Sequence, residues 1–279
     1  MSSSLSKWLL TSPPIEWALK NARELLIGTL RQGPIPQHVA FEMDGNRRFA
    51  KNHHIEAIEG HNLGFEALAR VLEICYKCGV KVVTVYAFSI ENFNRPKSEV
   101  GGLMKMAKIK LEQLCQHGEL LDRYGASIRV LGERDLIPAD VLPFVDKAVE
   151  MTKHNKNAVL NICFPYTSRA EMTHAIKATA EKPRSIEFKD KETITAETLD
   201  SHMYTGDSPP LDIFVRTSGV MRLSDFMLWQ CHENTHIFFL RCFWPEFDLW
   251  HFVPVLVEWQ WRQKQLGREG QAGRRIKTE

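Results

Sequence analysis

Little in this sequence marks it for an unusual environment. The formal net charge is only +2 over 279 residues, with 36 Lys and Arg against 34 Asp and Glu. That balance argues against a nucleic-acid binder, so any positive charge that matters must be concentrated locally. No run approaches the ~20 consecutive apolar residues that span a bilayer. The six cysteines are scattered, and no signal peptide with a cleavage site precedes them, which predicts a reduced, cytosol-facing protein. Cys75 and Cys78 have C-x-x-C spacing but no second pair, and they fall near the end of an amphipathic helical pattern. They read as packing residues rather than zinc ligands or a redox couple. Internal repeats, a Gly-x-Gly-x-x-Gly turn and a Walker lysine are also missing, which removes two common nucleotide cradles.

What is present fits one large globular domain: 44% hydrophobic and 25% charged residues allow a generous core. Near the start, Ile15, Ala18, Leu19, Ala22, Leu25, Leu26 and Leu30 recur at helical spacing, with Lys20, Arg23 and Glu24 off that face. This N-terminal amphipathic helix, with its linker assigned to residues 1–37, either lies on a membrane or packs on the protein or a partner. The stretch RQGPIPQ then breaks the chain. From His38 onward, HVAFEM (38–43), VVTVYAF (82–88), IRVL (128–131), VLNICF (159–164), DIFVR (212–216) and IFFL (237–240) read as strands. Several are apolar on consecutive positions, as in a sheet buried on both faces. Helical stripes such as Phe65, Leu68, Ala69, Leu72 and Cys75, or Leu103, Ala107, Leu111 and Leu114, lie between them. The expectation is a single α/β domain over residues 38–266, with a mostly parallel central sheet flanked by helices. Residues 181–193 read as a polar surface excursion and residues 267–279 as a solvated basic tail.

Open parallel sheets bind ligands beyond the carboxyl ends of their strands. In the first such turn, MDGNRRFAK (43–51), Asp44 ends the strand and Gly45 allows close backbone approach. Asn46, Arg47 and Arg48 open a helix whose free N–H groups favour an anion. A carboxylate beside two guanidiniums is consistent with Mg²⁺ held by one carboxylate and substrate phosphates; the plainer reading is an Asp N-cap followed by surface arginines. His61, in EGHNLG (59–64), stands at a second helix start and alone reads as a cap or surface group. The second strand leads into AFSIENFNRPKSEV (87–100), where Phe88, Ser89, Asn92 and Arg95 combine an aromatic wall with polar and cationic groups. In RTSGVMRLSD (216–225), Arg216 ends a strand, Gly219 permits a tight turn, and Arg222 and Ser224 can converge with Arg216 on an anion. Guanidinium–phosphate bonds are charge-assisted, on the order of 1.5–3 kcal/mol each. Arginines on two separate turns suggest two anionic substrates or one very highly charged one.

Six blocks in order, HVAFEMDGNRRFAK, EGH, VYAFSIENFNRPKSEV, ICFPYTSR, RTSGVMRLSDFMLWQ and FWPEF, resemble the cis-prenyltransferases over residues 38–247, nearest to the fungal type of the eukaryotic catalytic subunits. The resemblance implies an undecaprenyl diphosphate synthase-like fold and a Mg²⁺-dependent transferase. Such an enzyme adds isopentenyl diphosphate, with new double bonds cis, to an allylic starter such as farnesyl diphosphate. The implied product is a long-chain dehydrodolichyl (polyprenyl) diphosphate for dolichol synthesis and protein glycosylation, made peripherally on the cytosolic face of the endoplasmic reticulum membrane. By the same resemblance, Asp44 would hold Mg²⁺, and Gly45, Asn46, Arg47 and Arg48 would bind the allylic diphosphate. His61, Ser89 and Asn92 would line the reacting centre beside Phe88, and Arg95 would add charge there. Arg216, Arg222 and Ser224 would bind isopentenyl diphosphate. The stripe Leu103, Met104, Ala107 and Leu111, with the strand IRVL, is either a channel for the growing chain or ordinary core.

Three positions depart from that pattern. Glu42 stands where relatives usually carry an apolar strand residue; it faces solvent, helps the metal or harms the enzyme. Ala57 stands where many relatives have a basic residue that reaches the starter diphosphate. Homodimeric relatives end in an Arg-x-Gly element that completes the neighbouring site. Here the equivalent distance after Trp244 gives Gln265-Leu266-Gly267, with Arg268-Glu269-Gly270 displaced by three. The expected assembly is a heteromer with a Nogo-B-receptor-like subunit, with a homodimer through Arg268 and Gly270 as the alternative. The joint presence of Asp44, Arg48, Arg216, Arg222 and Ser224 argues against a non-catalytic scaffold subunit, and the lack of Asp-Asp-x-x-Asp against the all-helical trans-prenyltransferases.

Overall fold

The computed structural model describes residues 13–116, 119–181 and 194–276. Its centre is a parallel sheet of six strands: β1 (His38–Glu42), β2 (Val82–Tyr86), β3 (Ala126–Leu131), β4 (Ala158–Cys163), β5 (Ile213–Arg216) and β6 (His236–Phe239). Their order is β3-β4-β2-β1-β5-β6. Each strand overlaps one of the six apolar runs, with ends shifted by at most two residues. Every residue of the inner strands β1 and β5 is buried, whereas the edge strands β3 and β6 are only partly covered. This difference is why the inner strands read as continuous apolar runs.

The helices are α1 (Pro13–Leu30), α2 (Asn46–Asn52), α3 (Ala57–Cys78), α4 (Lys97–Gln116), α5 (Glu119–Tyr124), α6 (Leu142–Thr152), α7 (Ser168–Glu181), α8 (Ala196–Asp200) and α9 (Leu249–Ile276). Because strand side chains alternate, the sheet builds two apolar layers. Val39, Phe41, Val83, Val85, Ile213 and Val215 belong to the larger one. There Phe41 meets the rings of Trp244, Phe247 and Phe252 at 5.6–5.8 Å. Ala40 and Phe214 face the other layer with Tyr166 and Phe226. Leu68, Leu72 and Cys75 of α3 are buried as their spacing predicts. Cys75 and Cys78 are free and buried; burial raises both thiols, Cys78 to about 11, as expected of packing residues.

Both terminal segments are helical. On α1, Leu26, Ile27 and Leu30 pack inward, but Ala18, Ala22 and Leu25 of the predicted apolar face are exposed, as is Trp17. Docking is concentrated at the last turns of the helix, where Gln260 Nε2 donates to the carbonyls of Leu30 and Pro34 and Lys77 pairs with Glu24 at 2.5 Å. At the other end α9 continues through Ile276, so residues 267–276 are helical. The Gln, Arg, Glu and Ala residues there are good helix formers despite the interspersed glycines. Beyond Glu181, the polar excursion expected at 181–193 lies outside the described residues.

α2 lies close against α3 at Gly60: a Cβ there would sit 2.5 Å from the Asn46 carbonyl oxygen and 2.9 Å from the Ala50 Cβ. Gly60→Ala should therefore lower the thermal unfolding midpoint, because overpacking costs about 1–3 kcal/mol against about 1 kcal/mol gained in helix propensity. Gly28→Ala, with open space around it on α1, should hold or raise the midpoint. Equal shifts in the two variants would refute the close-approach argument.

Candidate active site

From β1 the chain passes to β2 on one side and later returns to β5 on the other. The crevice beyond β1 and β5 is thus the switch point where open α/β sheets hold ligands. Parallel register places Glu42 and Arg216 side by side at the carboxyl ends of these strands. Arg216 is 2% exposed and Glu42 6%, and Arg216 Nη1 meets Glu42 Oε1 at 2.6 Å. The same Nη1 donates to the Arg222 carbonyl and to Ser224 Oγ, each at 2.6 Å, and Nη2 donates to Asp44 Oδ2 at 2.8 Å. Arg216 Nε–H is buried with no partner among the described residues. Desolvation pushes Glu42 up to about 7, against the opposing charge of Arg216 and the Ser224 hydrogen bond. The solvent-facing reading of Glu42 is therefore wrong: the strand register buries it against a guanidinium.

Asp44 also takes Arg48 Nη2 at 3.1 Å. Burial alone would raise its pKa; hydrogen bonds from Arg216 and Ser218, with the charges of Arg216 and Arg48, outweigh burial and hold it below the ordinary carboxylate value. Gly45, at φ 112°, caps α2, and a Cβ there would lie 2.7 Å from the Phe243 ring. Arg48 stands over that ring at 5.7 Å and donates to Ser218 Oγ at 2.6 Å. Ser218, Gly219, Ser224 and Asp225 all have positive φ. Such backbone persists when outside contacts hold it; here the Cys242 and Leu240 carbonyls accept from the N–H groups of Ser218 and Gly219.

These groups border a cavity of about 710 Å³. Asp44, Asn46, Arg47, His61, Phe88 and Ser89 line it, as do Asn92, Arg95, Arg216, Arg222 and Ser224. Gly45 and Arg48 do not; Arg48 reaches the site through its pair with Asp44. Asn46 Oδ1 and His61 Nε2 are buried without partners among the described residues. His61 lies one turn inside α3 rather than at its cap. Burial, followed by the charges of Arg95 and Arg47, lowers its pKa to about 4, so the ring is neutral near pH 7. Ser89 and Asn92 also shape the rim: Ser89 Oγ accepts from the Glu91 N–H, and Asn92 Oδ1 from the Ser89 N–H, both at 3.2 Å. Arg95 and Arg47 share Glu99, at 3.0 and 3.5 Å.

Away from this charged mouth the lining is apolar, from Leu68 and Leu72 on α3, Leu103 and Leu111 on α4, and Val85 and Leu160 in the sheet. Leu103 to Leu111 spans ~12 Å of helix. Met104 is buried in the core and Met106 lines the cavity instead; of the IRVL strand only Val130 does. Arg169, Ser218 and Phe243 escaped the site residues expected from sequence. Arg169 ties two rim turns together, pairing with Glu91 at 3.1 Å and Asp225 at 2.6 Å; its place in YTSR, at the start of a helix after a strand, was the available signal.

Among the described residues no three His, Cys, Asp or Glu side chains gather to hold a metal. The donors fit a hard cation that takes one carboxylate from Asp44 and its other oxygens from phosphate and water, as Mg²⁺ does, rather than a soft metal in a closed protein site.

His61 yields a pH prediction. Its folded pKa of about 4 lies below the ordinary 6.5, so the unfolded chain takes up the proton first. The stability it contributes is full above pH 6.5 and is lost as pH falls toward 4. His61→Asn should flatten the acid limb of stability between these values in urea unfolding; an unchanged limb would show that the folded ring titrates normally.

The family model described as "Putative undecaprenyl diphosphate synthase" matches residues 43–267. The chain is 47% identical over 262 residues to a dehydrodolichyl diphosphate synthase complex subunit of Schizosaccharomyces pombe, covering 92% of this chain and 97% of that one. It is 44% identical over 233 residues to the corresponding Homo sapiens subunit, covering 83% and 69%. The crystal structure of lavandulyl diphosphate synthase from Lavandula x intermedia, in complex with dimethylallyl diphosphate, matches with a TM-score of 0.73 at 26% identity, over 81% of this chain and 95% of that one. By fold and sequence, the chain belongs to the cis-prenyltransferase family.

Proposed function

We propose that this chain condenses isopentenyl diphosphate onto an allylic starter such as farnesyl diphosphate, making a long-chain dehydrodolichyl (polyprenyl) diphosphate for dolichol synthesis and protein glycosylation. One observation carries the reading: a single cavity has an arginine-rich mouth at the sheet switch point and an apolar interior between α3, α4 and the sheet. Such a space suits a molecule with an anionic head and a hydrocarbon tail. Each added unit brings five carbons, about 4 kcal/mol of apolar burial at ~0.8 kcal/mol per carbon, so growth into this lining is favourable.

Gly45, Asn46, Arg47 and Arg48 take the allylic diphosphate, with Arg95 adding charge. Arg222, exposed on its turn, and Arg216 take isopentenyl diphosphate beside Ser224. When the allylic diphosphate departs, negative charge grows on it and cationic character on the allylic carbon. Arginines already fixed by Glu99, Ser218 and Asp44 stabilise that charge without reorganising. Mg²⁺, held by Asp44, would supply further neutralisation of the leaving group. Neutral His61, with Ser89, Asn92 and Phe88, walls the reacting centre without placing another cation against the developing carbocation.

The relatives' designation as complex subunits supports a heteromer; the partner in this reading is a Nogo-B-receptor-like subunit, and a homodimer is the alternative. No helix among the described residues is long and apolar enough to cross a membrane. The exposed Trp17 and Leu25 of α1 support peripheral contact with the cytosolic face of the endoplasmic reticulum membrane.

The test is incorporation of labelled isopentenyl diphosphate into butanol-extractable product with farnesyl diphosphate and Mg²⁺, for the chain alone and with the partner subunit. Activity alone establishes a self-sufficient homomer, activity only with the partner a heteromer, and activity in neither condition rejects the catalytic reading in favour of a scaffold. Asp44→Ala should abolish turnover; metal-dependent turnover in that variant would remove Asp44 from its assigned role. Ala107→Trp, by filling the apolar lining, should shorten the product ladder seen by reversed-phase chromatography. An unchanged ladder would return the α4 stripe to ordinary core.

A further inference from the structure

Lys110 interrupts an otherwise apolar wall. It follows Leu103 by two turns of α4 and, like Phe65 of α3, lines the cavity. The other cations that line it among the described residues, Arg47, Arg95, Arg169, Arg216 and Arg222, belong to the charged mouth. Lys110 stands ~16 Å of helix beyond Glu99, the residue that holds Arg47 and Arg95 there. Its ammonium lies 4.8 Å over the Phe65 ring and donates to Gln113 Oε1 at 3.2 Å. A lysine keeps its head toward water while its stem covers apolar surface, so this head marks an edge of the cavity. Ala69, one turn after Phe65, marks the same edge: it lines the cavity and is exposed, whereas Leu68, Leu72 and Leu111, which also line it, are buried. The cavity therefore reaches solvent between α3 and α4, where Lys110 and Phe65 bridge the two helices.

A second feature of α4 lies between its clamp at the mouth and its apolar wall. Gly101 and Gly102 come after Glu99 and just before Leu103. A Cβ at Gly101 would meet nothing within 4 Å, and one at Gly102 would meet Ile58 Cδ1 at 3.8 Å, so close packing requires neither glycine. Interior glycines weaken a helix and loosen its backbone. Two in succession let the wall of α4 swing from α3 while Glu99 keeps the mouth in place. Such a movement has a use, because the main chain of an extended farnesyl group reaches about 14 Å with C–C bonds of about 1.5 Å. That already exceeds the ~12 Å of helix between Leu103 and Leu111, and further units need a way out.

Resting on the proposed function, we infer that Lys110 and Phe65 form a latch over a lateral opening between α3 and α4, hinged at Gly101 and Gly102, and that this latch sets the length at which the growing hydrocarbon leaves the cavity. A cation–π contact is weaker than the burial of one five-carbon unit, so the chain itself can part the latch once the cavity is full. Lys110 is then a specificity residue for product length and takes no part in binding either diphosphate.

The experiment is the product ladder made from labelled isopentenyl diphosphate and farnesyl diphosphate with Mg²⁺, resolved by reversed-phase chromatography, for the full chain with its partner subunit if activity requires one. Lys110→Met keeps an unbranched side chain without the charge and should move the peak of the ladder up by at least one five-carbon unit. Phe65→Leu should do the same, and the double variant should move it no further than either single change, because both remove one contact. Lys110→Arg, which also stacks on aromatic faces, should leave the ladder in place. Gly101→Ala combined with Gly102→Ala should move the peak down while raising the thermal unfolding midpoint. KM for isopentenyl diphosphate should stay unchanged throughout, since the mouth is untouched. An unmoved ladder in Lys110→Met and Phe65→Leu, additive shifts in the double variant, or a KM that rises with the shift overturns the inference and leaves the proposed function standing. So does a ladder that Lys110→Arg moves as far as Lys110→Met, or one that the paired glycine variant leaves unmoved or lengthens. If Phe65→Leu fails to fold by circular dichroism, the contrast between Lys110→Met and Lys110→Arg decides. An unsubstituted protein that makes no product rejects the proposed function, and this inference with it.

Discussion

One buried guanidinium, that of Arg216, is shared between Glu42 at the end of the neighbouring strand and Asp44 in the turn that follows it, and the site is arranged around it. Buried ion pairs contribute little net stability, because desolvation offsets their attraction, but breaking one strands a charge. The gain here is geometric. Arg216 joins the end of β5 to Glu42, to Asp44 and to the turn carrying Arg222 and Ser224. Asp44 is locked from other sides as well: its carbonyl accepts from Thr217 Oγ1 at 2.6 Å and from the Trp244 N–H at 3.1 Å. Segments around Asp44, Arg216 and Trp244, distant in sequence, thus close on one residue, through its carboxylate and its main-chain carbonyl.

That interlock divides the labour between two arginines of the same short segment. Arg216 is buried and mostly committed to protein acceptors, whereas Arg222 is exposed, its Nε donating to Ser224 Oγ at 3.3 Å. The first sets the shape of the turn, and the second offers most of its donors to whatever enters. Around the mouth the other arginines follow the same rule, each held by an anion or hydroxyl that fixes its position without consuming every donor. Arg47 and Arg95 share Glu99, and Arg48 is held by Asp44 and Ser218. Preorganised charge of this kind is what a departing diphosphate requires.

Features set by local sequence were legible, and features set by distant partners were not. The inner strands could be read because a sheet covered on both faces needs unbroken apolar runs. The turn from Asp44 to Arg48 could be read because its glycine, carboxylate and arginines are adjacent. The choice between Met104 and Met106 was missed, since each residue turns a helix by 100° and periodicity alone does not fix which edge of a broad stripe meets a cavity. The apolar face of α1 was read correctly as apolar but docks only toward its end, where Gln260, 230 residues away, receives it. Glu42 resisted reading for the same reason: its partner is 174 residues further along the chain.

The register of β1 against β5 resolves that last case and joins fold to chemistry. In a parallel pair a shift of one residue would move Glu42 off Arg216 and send every side chain of the strand to the opposite face. Phe41 would then leave the rings of Trp244, Phe247 and Phe252. The apolar packing beneath the sheet is therefore what holds a carboxylate beside a guanidinium at its upper edge. Since Phe41 and Glu42 are consecutive, the strand cannot satisfy its core without also presenting this charge pair. The polar site is set to within one residue by the hydrophobic layer below it, and a carboxylate that looks misplaced in an apolar strand is held there against Arg216.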